Sequence, residues 1–166
     1  TEASGESGGR SGRRDTALWG PITDGEFLRM SASVMSLELP QSLARSGVMP
    51  LYAVVGEEDY LRDQSVAALR AAALGPAADT GFNYDIFHGD DCSVEDVLAC
   101  AAEIPVFAER RVVVYKSVEK LPAREGEKLL SYFSAPNDTT TLIVVGVKLD
   151  GRMKWTQALT KGAVTV

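Results

Sequence analysis

Residue types that build metal sites and crosslinks are scarce in this chain of 166 residues, which has two cysteines, Cys92 and Cys100, and one histidine, His88. So few ligands exclude a structural zinc site, and two thiols provide no disulfide framework. His88 as a base with either thiol as a nucleophile lacks a third, orienting side chain at readable spacing. We therefore predict no metal site and no catalytic site, in a protein of the reducing cytoplasm.

An excess of positive charge and long apolar runs are also absent. The chain carries 17 Lys plus Arg against 23 Asp plus Glu, a formal net charge of -6. Wrapping nucleic acid requires a dense field of basic side chains, so this balance argues against a protein that grips DNA alone. No stretch approaches the roughly 20 apolar residues of a membrane span. The hydrophobic content of 45% predicts one ordinary globular domain.

The amino-terminal stretch differs in composition from the rest of the chain. Residues 1–14 are Gly, Ser, Glu and Arg with few others, and Ala3 is their one apolar residue. Such a segment cannot bury enough surface to offset its ordering entropy. We interpret residues 1–35 as a disordered leader or as translated sequence upstream of a start at Met30 or Met35. Residues 36–166 are predicted to fold, and because they end on a core strand we expect the natural chain to continue.

Beyond residue 50, apolar runs and helix signals alternate regularly. Strands are predicted at 51–55, 83–87, 112–115, 140–145 and 163–166. A short helix is predicted at 37–45 and a longer one at 59–74, which Gly75 and Pro76 stop. Further helices are predicted from the cap Ser93 to about 103, at 123–133 and at 152–159. Strands that alternate with helices form right-handed crossover units. The predicted fold is α/β, a three-layer parallel sheet with helices on both faces.

The loop after the first predicted strand is where a fold of this kind binds phosphate, using glycine amides and a helix N-terminus. Here residues 56–60 read GEEDY, with one glycine, no lysine and three consecutive carboxylates. Neither phosphate-binding glycine motif can be placed there. Nucleotide binding is therefore not expected, and no cofactor is predicted.

The acidic residues permit a second hypothesis, a metal-dependent enzyme. Residues 57–59 or 90–91 would supply the oxygen ligands that Mg²⁺ prefers, as in phospho-receiver or phosphatase-like domains. The competing interpretation is that both groups are solvated carboxylates at helix N-termini. A receiver would also require an aspartate at the end of the third strand, where this chain has Lys116 and Ser117.

An apolar segment precedes the third predicted strand. Pro105 disfavours helical geometry at the residue before it, so the preceding helix should end near Glu103. Ile104, Val106 and Phe107 then lie in a connection, where polar residues are the rule. They either fold back on the sheet edge as a staple or form an exposed plug that enters a pocket on a partner.

The chain resembles a known family over residues 37–166. Its successive segments LYAVVGEEDYLRDQSVAALRAAAL, FNYDIFHGDD, SVEDVLACAAEIPVFAERRVVVYKSVEKL and NDTTTLIVVGVKLDGRMKWTQAL are similar to the N-terminal domain of the bacterial DNA polymerase III delta subunit, the clamp-loader subunit that opens the sliding clamp. The likeness is most specific at PVFAERRVVVY and LIVVGVKLD. It implies an AAA+-type fold, related to P-loop ATPases, that has lost its nucleotide site.

The resemblance also implies a site and partners. The family's clamp-binding plug falls on Val106 and Phe107, with Ile104 as its upstream apolar residue, so these three are the predicted clamp-binding residues. The sequence departs from the family in having Val106 for leucine and Ala102 for glutamine. The implied partners are the sliding clamp (beta subunit) and, through a lid and a collar domain missing here, the other clamp-loader subunits. DNA is reached only through the assembled complex.

Overall fold

The computed structural model describes residues 33–75 and 81–166, so the greater part of the predicted leader and the helix-stopping Pro76 lie outside it. Its helices are α1 (Leu39–Ser46), α2 (Asp59–Leu74), α3 (Val94–Ala102), α4 (Ala123–Glu127), α5 (Leu130–Ser134) and α6 (Lys154–Gly162). Its strands are β1 (Leu51–Val55), β2 (Tyr84–His88), β3 (Arg111–Lys116), β4 (Thr140–Gly146) and β5 (Val164–Thr165). A single 3-10 turn, Val118–Lys120, follows β3 within these residues.

The five strands form one parallel sheet in the order β2-β3-β4-β1-β5. Tyr84 pairs with Val112, and Leu51 pairs with Leu142, so all the strands run in the same direction with their ends level. β2 is an edge strand and β3 is its one neighbour. All the amino ends therefore meet at one edge of the sheet, which we call the amino edge, and all the carboxyl ends meet at the opposite edge, the carboxyl edge.

Helices cover both faces of this sheet, as predicted. Side chains alternate along each strand, so β3 directs Val113 to one face and Val114 to the other. Helices α1 and α2 pack on the face that carries Val114, and α3 to α6 pack on the face that carries Val113. The central strands are buried on both faces, which explains their continuous apolar runs.

Local signals set several of the helix bounds. The Ser93 hydroxyl accepts a hydrogen bond from the backbone N–H of Asp96 and so caps α3. Helix α2 ends where Gly75 adopts a φ of 51°, a conformation that glycine enters without steric cost. Both ends agree with the sequence prediction.

The predicted helix at 123–133 is wrong in one respect, because two short helices stand in its place. Between them the N–H of Lys128 donates to the carbonyl of Glu125 and that of Leu129 to Gly126, a tighter 3-10 pattern. Gly126 lies against the buried indole of Trp155, where a Cβ would come 2.3 Å from the indole nitrogen. The contact with Trp155 requires glycine inside the first helix.

The amino-terminal end of the described chain joins the sheet. Ser33 forms a parallel bridge with Thr165, and the N–H of Val34 donates to the carbonyl of Thr165 at 2.8 Å. Within residues 33–75 and 81–166, no helix is long and apolar enough to cross a membrane.

Candidate protein-binding site at the amino edge of the sheet

The apolar segment found in the sequence forms an exposed loop at the amino edge. We call residues 103–111 the tip loop; it leaves the end of α3 and enters β3. Phe107 is 98% exposed, Ile104 83% and Val106 44%. The staple interpretation is therefore wrong for Ile104 and Phe107, whose side chains project into solvent. Large apolar side chains exposed together at one loop mark an interaction surface.

Asn83, a buried residue just before β2, bonds the tip loop through its side chain. The Asn83 side-chain amide donates from Nδ2 to the carbonyl of Val106 at 2.7 Å and accepts at Oδ1 from the N–H of Val106 at 2.7 Å. Both backbone polar groups of Val106 are thus bonded to one side chain. Val106, which lies between the exposed Ile104 and Phe107, is therefore fixed in place.

An ion pair closes the base of the tip loop. Nη2 of Arg111 lies 2.9 Å from Oε2 of Glu103, which follows the last residue of α3, and 2.8 Å from Oδ2 of Asp85 on β2. The first and last residues of the tip loop therefore meet across it. Arg111 is buried and both acids are partly exposed, so the two carboxylates balance its positive charge at the base of the loop.

The last turn of α3 is also tied to the sheet. The carbonyl of Ala101 accepts hydrogen bonds from Nδ2 of Asn137 at 3.2 Å and from the hydroxyl of Thr140 at 2.9 Å. Carbonyls at a helix end have no partner within the helix, so these side chains satisfy one of them. The helix that leads into the tip loop is consequently anchored at its final turn.

The backbone of Phe107 is strained. Its φ of 54° places a bulky aromatic residue in the left-handed region, which costs about 1–3 kcal/mol and persists where the surroundings enforce it. Here Asn83 fixes the preceding residue. The Phe107 side chain is almost fully exposed in this conformation.

Two residues at this site were missed by sequence reasoning. Asn83 was assigned to the start of a strand, although asparagine is depleted in strands, and that anomaly was the available signal. Phe82 is exposed and stands next to Asn83 in the chain, so it extends the apolar surface beyond the tip loop. No local pattern links residues 82–83 with residue 106, because strand pairing brings them together.

At the carboxyl edge, where related folds bind phosphate, the loop after β1 is bonded to a side chain of α2. The Arg62 guanidinium donates to the carbonyl of Gly56 and pairs with the carboxylate of Asp59. The Arg62 guanidinium therefore lies in the loop that, in a phosphate-binding fold, would present free N–H groups. The Arg62 guanidinium is thus paired within its own loop and helix.

The remaining polar residues considered in the sequence are dispersed. Oδ2 of Asp90 lies 2.5 Å from Nζ of Lys120, whose hydrogen bond lowers the pKa of the Asp90 carboxyl. Burial, followed by the Asp85 carboxylate, raises the pKa of the Cys100 thiol to about 11, which makes it a poor nucleophile. Among the residues that the structure describes, no three His, Cys, Asp or Glu side chains are grouped to hold a metal ion.

Over most of its length the chain is similar to known proteins. The sequence model of the family described as DNA polymerase III, delta subunit, matches residues 52–166. The DNA polymerase III subunit delta of Bacillus subtilis is 28% identical over 139 residues, which cover 78% of this chain and 40% of that protein. The chain thus spans about 40% of the length of the curated relative it matches.

Solved structures show the same fold. The Bacillus subtilis DNA clamp loader delta protein superposes with a TM-score of 0.71 at 27% identity, covering 80% of this chain and 42% of that one. A DNA polymerase III gamma subunit-related protein from Thermotoga maritima gives a TM-score of 0.58 at 12% identity, over 80% of this chain and 45% of that one. The latter likeness concerns the fold alone, and it agrees with the predicted parallel sheet covered by helices on both faces.

Proposed function

The chain belongs to the DNA polymerase III delta subunit family, and on that premise we propose that residues 36–166 form its clamp-binding domain. In this proposal the tip loop binds the ring-shaped sliding clamp through Ile104, Val106 and Phe107 and helps to open it. The observation that carries the proposal is an almost fully exposed phenylalanine on a loop whose backbone is held rigid. Exposed apolar side chains on a fixed backbone are what an interface anchor requires.

The proposed mechanism is differential binding, without bond-making chemistry. Burial of an aromatic or aliphatic side chain in a partner pocket contributes about 1.5–3 kcal/mol. Phe107 and Ile104 begin almost fully exposed, so nearly all of that gain remains available on binding. A protein that holds an opened ring more tightly than a closed one shifts the population by that difference. The rigid tip loop suits this task, because a flexible loop would follow the clamp rather than deform it.

The proposed partners beyond the clamp belong to the larger protein. The chain covers well under half of each full-length relative, so contacts with the other clamp-loader subunits are assigned to regions that this chain does not align with. The net charge of -6 agrees with a domain that handles a protein ring and meets DNA only through the assembled complex.

The metal-dependent enzyme is less well supported. Asp59 is engaged by Arg62, and Asp90 by Lys120, so each proposed acidic group already has a cation. A magnesium site requires several oxygen ligands that converge, and the described residues offer no such group.

Replacing Phe107 tests the proposal directly. Phe107→Ala is expected to weaken binding of the sliding clamp by about 30-fold or more, since aromatic anchors contribute about 2 kcal/mol or more. Its melting temperature should stay unchanged, because the side chain is exposed in the free protein. Surface plasmon resonance on immobilised clamp measures the affinity.

Tyr60→Ala is the matched control. Tyr60 is also an exposed aromatic residue, but it lies at the carboxyl edge, so its removal should leave clamp affinity within about twofold. The proposal fails if Phe107→Ala binds the clamp as tightly as the unmodified chain, or if Tyr60→Ala loses as much affinity as Phe107→Ala.

A further inference from the structure

We infer that Asn83 is the positioning residue of the tip loop, whose buried side-chain amide holds Val106 and thereby sets Phe107 in the conformation that binds the clamp. The inference rests on the proposed function and adds to it a residue that contacts the loop backbone from within the fold. Asn83 acts through the loop and is not itself proposed to contact the clamp.

Three hydrogen bonds converge on Asn83. Its side chain bonds both backbone groups of Val106 at 2.7 Å, and its own carbonyl accepts from the N–H of Val112 at 2.8 Å. Residues 106 and 112 are therefore both fastened to one residue, and the segment between them is a closed loop. The side chain ties the start of this segment, and sheet pairing with β3 ties its end.

The chemistry at this position requires a carboxamide. An N–H needs an acceptor and a carbonyl needs a donor, and asparagine provides both on one rigid plane. Aspartate has nearly the same shape, but when ionised it offers acceptors alone. It would keep the bond from the Val106 N–H and place a second oxygen against the Val106 carbonyl.

The anchor also explains why the strained residue stays in place. Phe107 follows Val106 directly and has a φ of 54°, a conformation that a free loop would leave. Ordering a loop residue at the moment of binding weakens affinity by roughly tenfold for each residue. A loop that is ordered beforehand avoids this loss.

Affinity measurements test the inference with two variants and a control. Asn83→Ala and Asn83→Asp are each expected to weaken clamp binding about tenfold or more, although Ile104, Val106 and Phe107 are unchanged. Gln157→Ala is the matched control: it also removes a side-chain amide that donates to a backbone carbonyl, that of Gly151 at 2.8 Å, but it does so at the carboxyl edge. Its clamp affinity should remain within about twofold of the unmodified chain.

Amide hydrogen exchange gives a readout that does not involve the clamp. In the free Asn83→Ala variant the Val106 amide should exchange at least about tenfold faster, whereas the Val113 and Val114 amides in β3 should keep their protection. If Asn83→Ala fails to fold, Asn83→Asp, which preserves the volume but not the bond to the Val106 carbonyl, carries the affinity measurement.

A double variant separates positioning from general stability. If Asn83 acts through Phe107, adding Asn83→Ala to Phe107→Ala should reduce clamp affinity little further. Full additivity, unchanged clamp affinity of Asn83→Ala, or unchanged exchange at Val106 overturns the inference. If the unmodified chain does not bind the clamp, the proposed function fails, and exchange at Val106 alone then decides whether Asn83 holds the loop.

Discussion

Arg111 joins the base of the tip loop to the sheet, and Arg111→Met should lower the free energy of unfolding by about 2–3 kcal/mol. Its guanidinium makes two charge-assisted bonds, to Asp85 and Glu103, each contributing about 1.5–3 kcal/mol. Its buried Nε atom makes no hydrogen bond with the described residues. Removing this atom should raise the free energy of unfolding by about 1 kcal/mol, which offsets part of the loss. Solvation of the exposed acids lowers the total further. Methionine retains an unbranched apolar stem and so isolates the loss of charge.

Exposure predicts a ranking of the three members of this network. The Arg111 side chain is 8% exposed, that of Asp85 38% and that of Glu103 60%. Water screens the more exposed partner more strongly. The loss of stability should therefore fall from Arg111→Met to Asp85→Asn to Glu103→Gln.

Urea denaturation followed by far-UV circular dichroism measures these losses by linear extrapolation. The loss of stability in Arg111→Met should persist in about 0.5 M NaCl, because salt screens a buried ion pair less than an exposed one. Arg152→Met is the control: Arg152 bonds Asp150 at 2.8 Å but is 91% exposed, so no measurable loss is expected. The reasoning is refuted if Arg111→Met is as stable as the unmodified chain, or if Arg152→Met is equally destabilising.

Two further predictions concern the core. Gly126→Ala should lower the urea midpoint, because overpacking against Trp155 costs about 1–3 kcal/mol and exceeds the gain of about 1 kcal/mol in helix propensity. Gly151→Ala should leave the urea midpoint unchanged, because a Cβ at this position would meet nothing within 4 Å. Equal midpoints for the two variants would contradict this account. Cys100, with a pKa raised to about 11, should react slowly with iodoacetamide at pH 8 in the folded chain, and faster as the pH rises toward 11. Mass spectrometry measures the rate, and alkylation at pH 8 as fast as in urea would contradict the prediction.

The layered fold could be predicted from local patterns. Continuous apolar runs such as Leu51–Val55 indicate strands buried on both faces, and signals such as Ser93 and Gly75 locate helix ends within a residue or two. The helix at 123–133 was mispredicted because its break depends on the contact between Gly126 and Trp155, which lie 29 positions apart. Side-chain contacts of that range leave no periodic trace in the sequence.

Part of the candidate site could likewise be predicted from the sequence, and part could not. Ile104, Val106 and Phe107 were found from their apolar character in a connection, since such residues need a reason to be there. Their exposure could not be decided, because a staple and a plug have the same sequence. Asn83 and Arg111 were not predicted to act on the loop at all.

The sequence by itself determined the alternation of strands and helices, the missing phosphate-binding motif and the position of the tip loop, because each depends on residues close together in the chain. Only the tertiary structure decided that the tip loop projects from the sheet, that Asn83 and Arg111 hold it, and that Arg62 bonds Gly56 and Asp59 at the opposite edge. The physical reason is the parallel sheet. It places residue 83 beside residues 106 and 112 at one edge, and the hydrogen bonds between them require the strands to be paired.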